Sequence, residues 1–337
     1  MSQPTHPKST PATRAKLANR TAPTNGDNTA DPVAHLEHRQ PHDQTIGETA
    51  EQLARIVSPE PLGDDRFLGL PSNGDGAAGT FGGHFLGQAA GAALATVDAD
   101  RCMHSLHAYF LRGGEAGVPI EYVVERLRDG RSFGTRRVTA RQHDKDLFVM
   151  MASVTVPSRG PEIDPLPPAD FAHLPAPETL PRYHELMATH DPVPLPEAWA
   201  LREHGIDTRI VNAPWSPRGP SAQQGIRMWI RTNGAITANP AVHTALLAYQ
   251  SDESISDNVL VPFGLTWGSP EVFFVSLDHA MWFHRNVNLN EWHFVEQAPV
   301  VTTGGRGVAS GSVWTQDGVC VATFAQEALM RVKGYED

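Results

Sequence analysis

The chain states one sequence theme twice, and this repetition limits what it can fold into more than any other feature. Around residue 107 it reads His107-Ala108-Tyr109-Phe110-Leu111-Arg112, and around residue 279 it reads His279-Ala280-Met281-Trp282-Phe283-His284-Arg285. A strand-like run lies forty-two residues after each histidine: Leu147-Phe148-Val149-Met150-Met151 in one half, Val319-Cys320-Val321-Ala322-Thr323 in the other. Equal spacing of two similar segments implies a duplicated structural unit. Continued in register, the runs set Val154 against Gln326, so the copies share a scaffold and differ in polarity.

A length of 337 residues, 40% hydrophobic and 19% charged, suits two ordinary domains or one pseudo-symmetric pair. The formal net charge of −11 argues against nucleic acid as a partner, which would call for a basic surface. The two cysteines, Cys102 and Cys320, lie in or beside apolar runs and read as reduced core thiols. No stretch approaches the ~20 apolar residues of a membrane span. Met1 to Asn28 is rich in Pro, Thr, Asn and Lys and lacks the apolar core of a secretory signal. A cytoplasmic protein is the expectation.

Residues 1–43 have no periodicity and read as a disordered tail; His35, His38 and His42 within it have no fixed geometry for a metal. Thr45 and Glu48 are placed as a capping box for a short helix carrying Leu53, Ile56 and Val57 on one face. After Phe81-Gly82-Gly83-His84 comes Ala89-Ala90-Gly91-Ala92-Ala93, small residues that suit a central helix lying close against a sheet. Strands are expected at 104–112, 119–128, 133–143 and 147–156, an α+β pattern of one helix wrapped by antiparallel strands. A Pro-rich linker follows over 158–205, with one short helix near 181–189. The second half repeats the pattern: strands at 207–213 and 224–232, a helix opened by Asn239-Pro240, then strands near 272–284, 292–301, 305–316 and 319–331 forming a second sheet.

Metal chemistry finds little support. His104 and His107, three apart on a strand, should face opposite sides, as should His279 and His284. No Cys-His cluster has zinc spacing, and no phosphate-binding loop is present. Asp252 closes the second-half helix, where the negative end of the macrodipole disfavours an ionised carboxylate. Ser276 and Gln326 interrupt apolar strand runs, and a polar side chain in a buried strand needs a partner. If those strands meet over the helix end, Asp252, Ser276 and Gln326 can satisfy one another and orient a nucleophilic water.

The segments Phe81-Gly82-Gly83, His104 to Arg112, Arg128-Asp129-Gly130-Arg131-Ser132-Phe133, Asp278 to Arg285, Asn288-Leu289-Asn290-Glu291-Trp292 and Thr315-Gln316-Asp317-Gly318 together resemble acyl-CoA thioesterase II. The resemblance covers residues 46–333. It implies an α+β double hotdog of two fused units, each a central helix wrapped by an antiparallel sheet, over 44–157 and 206–333. It also implies hydrolysis of acyl-CoA to free fatty acid and CoA, with Asp252, Ser276 and Gln326 positioning the attacking water. The Gly82-Gly83-His84 turn is then the candidate for oxyanion binding, and Arg285 and Arg306 are candidate contacts for CoA phosphates. No metal and no cofactor is implied, and a homodimer or homotetramer is expected. The tail, the loop from Gly74 to Gly79, and His84 where many members carry Gln depart from the family pattern. Two rivals fit less well: a hotdog enoyl-CoA hydratase, whose Asp-His signature is not seen, and a non-catalytic acyl-CoA-binding scaffold, which would not need an intact trio.

Overall fold

The computed structural model describes residues 49–72, 79–189, 204–212, 224–266 and 269–334. The proposed tail, the Thr45–Glu48 box, most of the Gly74 to Gly79 loop and part of the linker lie outside them. The first described helix, α1 (Ala50–Ile56), is capped by Thr49, whose side chain and that of Gln52 bond reciprocally to each other's backbone N–H. Two short strands that the sequence did not announce follow, β1 (Glu60–Gly63) and β2 (Arg66–Gly69), joined through Asp64 and Asp65 at φ 52° and 54°. Paired positive φ values are what a tight hairpin requires, and aspartate tolerates them.

Then come α2 (Gly82–Leu94) and strands β3 (Cys102–Phe110), β4 (Ile120–Asp129), β5 (Phe133–Gln142) and β6 (Lys145–Thr155). The second half contributes α3 (Tyr183–Thr189), β7 (Ile206–Ile210), β8 (Arg227–Thr232), α4 (Pro240–Ser251), β9 (Val272–Ser276), β10 (Asp278–Phe283), β11 (His293–Thr303), β12 (Arg306–Thr315) and β13 (Cys320–Val332). Asn239 caps α4, accepting from the Val242 N–H, with Pro240 at the first helical position.

The expected second sheet is not separate. All thirteen strands form one antiparallel sheet in the order β1-β2-β4-β5-β6-β3-β10-β13-β12-β11-β8-β7, with β9 also pairing with β13. The junction is the repeated theme itself, since His107 pairs with Ala280 and Ala108 with His279. Edge strands of two half-sheets leave N–H and C=O groups unpaired, and pairing them with each other removes both edges. The sheet curls around two central helices, and α2 and α4 lie against each other. A Cβ on Gly87 would crowd Val57, Tyr249 and the Ala245 carbonyl, so glycine here sets the interhelical approach. At the far end of α2, fully buried Arg136 donates to the Thr96 carbonyl and hydroxyl and pairs with Asp129, a cation at the negative end of the helix.

The expected strand over 272–284 is broken. Ser276 pairs with Ala328 but Ala280 pairs with Ala325, so Leu277, Asp278 and His279 stand opposite only Gln326 and Glu327. This one-residue excess is a β-bulge, and it re-aims the side chains around it. A second irregularity between Met103 and Ser105 breaks the alternation assumed for the first pair of histidines: His104 bonds Ser153 Oγ at 2.8 Å, while exposed His107 packs edge-on against Trp282.

The described part of the linker is tied to the second half. Alternation along β8, β11 and β12 sends Met228, Ile230, Val295 and Val313 into the main core and Trp229, Phe294 and Trp314 to the opposite face. Phe171, Leu174 and Leu180 cover that face, and Trp229 and Trp292 donate to the Pro175 carbonyl and to Glu178.

Candidate active site

Helix α4 ends beside the bulge, and the seam between the two halves runs through the same place. Asp252 is the C-cap of α4, only 7% exposed, with its Oδ1 buried and unpartnered. Burial pushes its carboxyl up to about 7; the neighbouring charge of Glu253 adds to this, while the Gln326 carboxamide and the Gly83 N–H draw it down. Gly83 stands in the first turn of α2, so the carboxylate at the negative end of one helix meets the positive end of the other. Only glycine fits there: a Cβ on Gly82 would collide with Asp252 Oδ2, and one on Gly83 with the Tyr249 carbonyl.

Gln326, on β13, is 2% exposed and is held from two sides. Its Nε2 donates to Ser276 Oγ at 2.8 Å and to Ser256 Oγ at 2.6 Å, and its Oε1 faces Nδ1 of His279. The ring of His279 continues through Nε2 to Ser251 Oγ at 3.0 Å, and that hydroxyl lies 2.9 Å from the Ala248 carbonyl within α4. His279 is 1% exposed, and burial holds its imidazole down to about 4, so it carries a single ring proton near neutral pH. The bulge explains how Ser276 and His279, an odd number of residues apart, both reach one carboxamide.

The structure therefore brings Asp252, Ser276 and Gln326 together and adds four groups that sequence reasoning left out: Ser251, His279, Ser256 and Asp257. Ser256 and Asp257 belong to a short 3-10 segment, Ser256–Val259, directly after α4. Asp257 is buried, and its carboxyl is pushed up to about 8 by that burial and by the nearby Glu253 and Asp252. The signal for these residues was the polar run Ser254-Ile255-Ser256-Asp257-Asn258 behind the helix, too irregular to assign to a face.

The remaining sequence candidates are placed as follows. The Gly82-Gly83-His84 turn reaches Asp252, but the His84 N–H already bonds the Phe81 carbonyl at 3.1 Å, and its ring contacts the Leu70 carbonyl at 2.8 Å. Arg285 pairs with Asp164 at 2.9 Å and donates to the Cys320 carbonyl; Arg306 pairs with Glu327 at 3.0 Å. A cleft of ≈ 500 Å³ lined by Ile236, Pro240, His243 and Asn286 sits at the opposite end of α4 from Asp252, roughly 18 Å away by helical rise. It shares no residue with the trio.

Two helices back to back inside one curled sheet, with a carboxylate, a hydroxyl and a carboxamide converging at their seam, define a double hotdog. A protein of hot dog fold from Alicyclobacillus acidocaldarius superposes with a TM-score of 0.66 over 83% of this chain and 98% of its own, at 16% identity. The chain belongs to the acyl-CoA thioesterase family, a family of hydrolases. The family profile for acyl-CoA thioesterase matches residues 208–329, and that for the acyl-CoA thioesterase N-terminal domain matches residues 70–156. Acyl-CoA thioesterase 2 of Haemophilus influenzae is 33% identical over 290 residues, covering 85% of this chain and 99% of that protein. The acyl-CoA thioesterase II TesB2 of Mycobacterium marinum is 32% identical, with a TM-score of 0.67 over 84% of this chain and all of its own.

Proposed function

We propose that this chain hydrolyses fatty acyl-CoA to free fatty acid and CoA by direct attack of water, with Asp252 as general base. The convergence of Asp252, Ser276 and Gln326 at the junction of the two halves carries this assignment. A base tuned to about 7 is matched to proton transfer near neutral pH. Water, placed by the Ser276 hydroxyl and the Gln326 carboxamide, attacks the thioester carbonyl carbon and gives one proton to Asp252. The carbonyl oxygen becomes an oxyanion, for which the Gly82 N–H is the proposed donor, the Gly83 N–H being held by Asp252. Its collapse breaks the C–S bond; the departing CoA sulfur takes the proton back from Asp252, and the balance closes without redox change, metal or cofactor.

Arg285 and Arg306 are proposed contacts for the CoA phosphates, which would take the place of Asp164 and Glu327 on them. Among the described residues no helix is long and apolar enough to cross a membrane. A cytoplasmic location, in keeping with two unpaired cysteines, and assembly as a homodimer or homotetramer are further parts of the proposal. The assignment is tested by thiol release from a panel of acyl-CoA substrates, comparing the native protein with Asp252→Asn and Gln326→Ala. Activity in the native protein and its near-loss in both variants is expected. Absence of CoA release from every substrate would overturn the activity, and full activity in Asp252→Asn would overturn the site.

A further inference from the structure

The hydrogen bonds around Gln326 allow two proton arrangements with a neutral His279. In the first, the proton sits on Nδ1 and is donated to Gln326 Oε1, so the amide N–H groups face Ser256, Ser276 and Asp252. In the second, the proton sits on Nε2 and goes to Ser251, whose own proton goes to the Ala248 carbonyl. The carboxamide is then reversed, with its oxygen toward the serines and Asp252. The first arrangement uses both amide N–H groups but leaves Ser251 to share its single proton between Ala248 and His279, whereas the second relieves Ser251 but turns two amide N–H groups toward the single acceptor Nδ1. Each arrangement thus leaves one polar atom short of a partner.

Asp252 decides the matter. An ionised carboxylate is stabilised by the amide N–H side of Gln326 and repelled by its oxygen, in a site where burial removes most of the solvent screening. The first arrangement therefore accompanies the ionised base, and it depends on a Nδ1 proton that only His279 supplies. The far side of the ring, on Ser251, ties that orientation to the last turn of α4, one residue from Asp252 itself.

We propose that His279 is a positioning residue of the water-activating site, holding the Gln326 carboxamide N–H-inward through its Nδ1 proton while Ser251 anchors the ring to α4. The proposal rests on the thioesterase assignment above and concerns how its site is kept in order.

Two substitutions separate the two sides of the ring. His279→Asn places an amide where Nδ1 stood and keeps the partner of Gln326. His279→Gln places one where Nε2 stood, which keeps Ser251 and abandons Gln326. With a saturating acyl-CoA substrate, His279→Gln is expected to lower kcat about 10–100-fold, the effect of losing an outer partner that orients a reacting group. KM should stay near the native value, and His279→Asn should keep most of the activity. Nitrogen NMR of the native protein labelled at histidine, at about pH 8, where Asp252 is mostly ionised, is expected to show the His279 proton on Nδ1 and a bare Nε2. That measurement stands even if both variants fail to fold. Native turnover in His279→Gln, equal losses in the two variants when both are folded, or a proton on Nε2 would overturn the proposal. Absence of CoA release from the native protein would instead overturn the thioesterase assignment.

Discussion

Replacing Asp252 by asparagine should stabilise the protein while disabling it, because the carboxylate is kept in a place that opposes its charge. Its pKa rises from 3.8 to about 7 on folding, and at ~1.4 kcal/mol per unit this amounts to about 4 kcal/mol. The sign follows from proton counting. Between those two values the folded protein holds a proton that the unfolded chain has lost, so stability falls as pH rises and levels off above about 7. Asp252→Asn removes the titration with nearly the same shape. Urea unfolding at about pH 8 should therefore show the variant more stable by roughly 4 kcal/mol, with the difference shrinking below ~1 kcal/mol near pH 4. Thiol release at about pH 8 should fall by roughly 10²–10⁴-fold. A variant less stable than the native protein at pH 8, or a difference independent of pH, would refute the claim that burial of this charge dominates the site.

Four further outcomes follow. The pH profile of kcat/KM should rise through an apparent pKa of about 7 and then level, since Asp252 acts as a base; a flat profile across that range would contradict the role. Ser256→Ala and Ser276→Ala each leave Gln326 Nε2 one hydroxyl, so a thiol-release cycle should show the double variant losing more than the two single losses multiplied together; a purely multiplicative result would count against sharing. Gly83→Ala drives a Cβ into the Tyr249 carbonyl and should cost about 1–3 kcal/mol in urea unfolding as α2 and α4 separate; native stability would show that the helices can yield. Gln250 is 4% exposed with both carboxamide atoms unpartnered, so Gln250→Met should raise stability by about 1–3 kcal/mol; a lower unfolding midpoint would refute it.

The repeat, the helix-then-strands order and the trio were legible because each leaves a local mark: periodicity, turn residues, or a polar side chain in an apolar strand. The β3–β10 junction left none. A strand edge reads the same whether it pairs with its own half or with the other, so the sequence does not distinguish one sheet from two. The role of His279 was hidden by alternation. On a regular strand it and Ser276 would face opposite sides, and a bulge at Leu277 depends on the register with β13, which no local pattern encodes. The repeated histidines do not match in space, since His107 is exposed and His279 buried. Hairpin β1–β2 turns on two aspartates instead of glycine, and its strands are mostly exposed, so neither turn chemistry nor alternation marked it.

A single turnover of acyl-CoA in water enriched in oxygen-18 tests the central claim most directly. If Asp252, Ser276 and Gln326 deliver water straight to the thioester carbon, the first fatty acid released carries one heavy oxygen, together with an equivalent of free CoA. An unlabelled first product would mean that a carboxylate of the protein attacked instead, and no CoA at all would mean that the site does not hydrolyse thioesters.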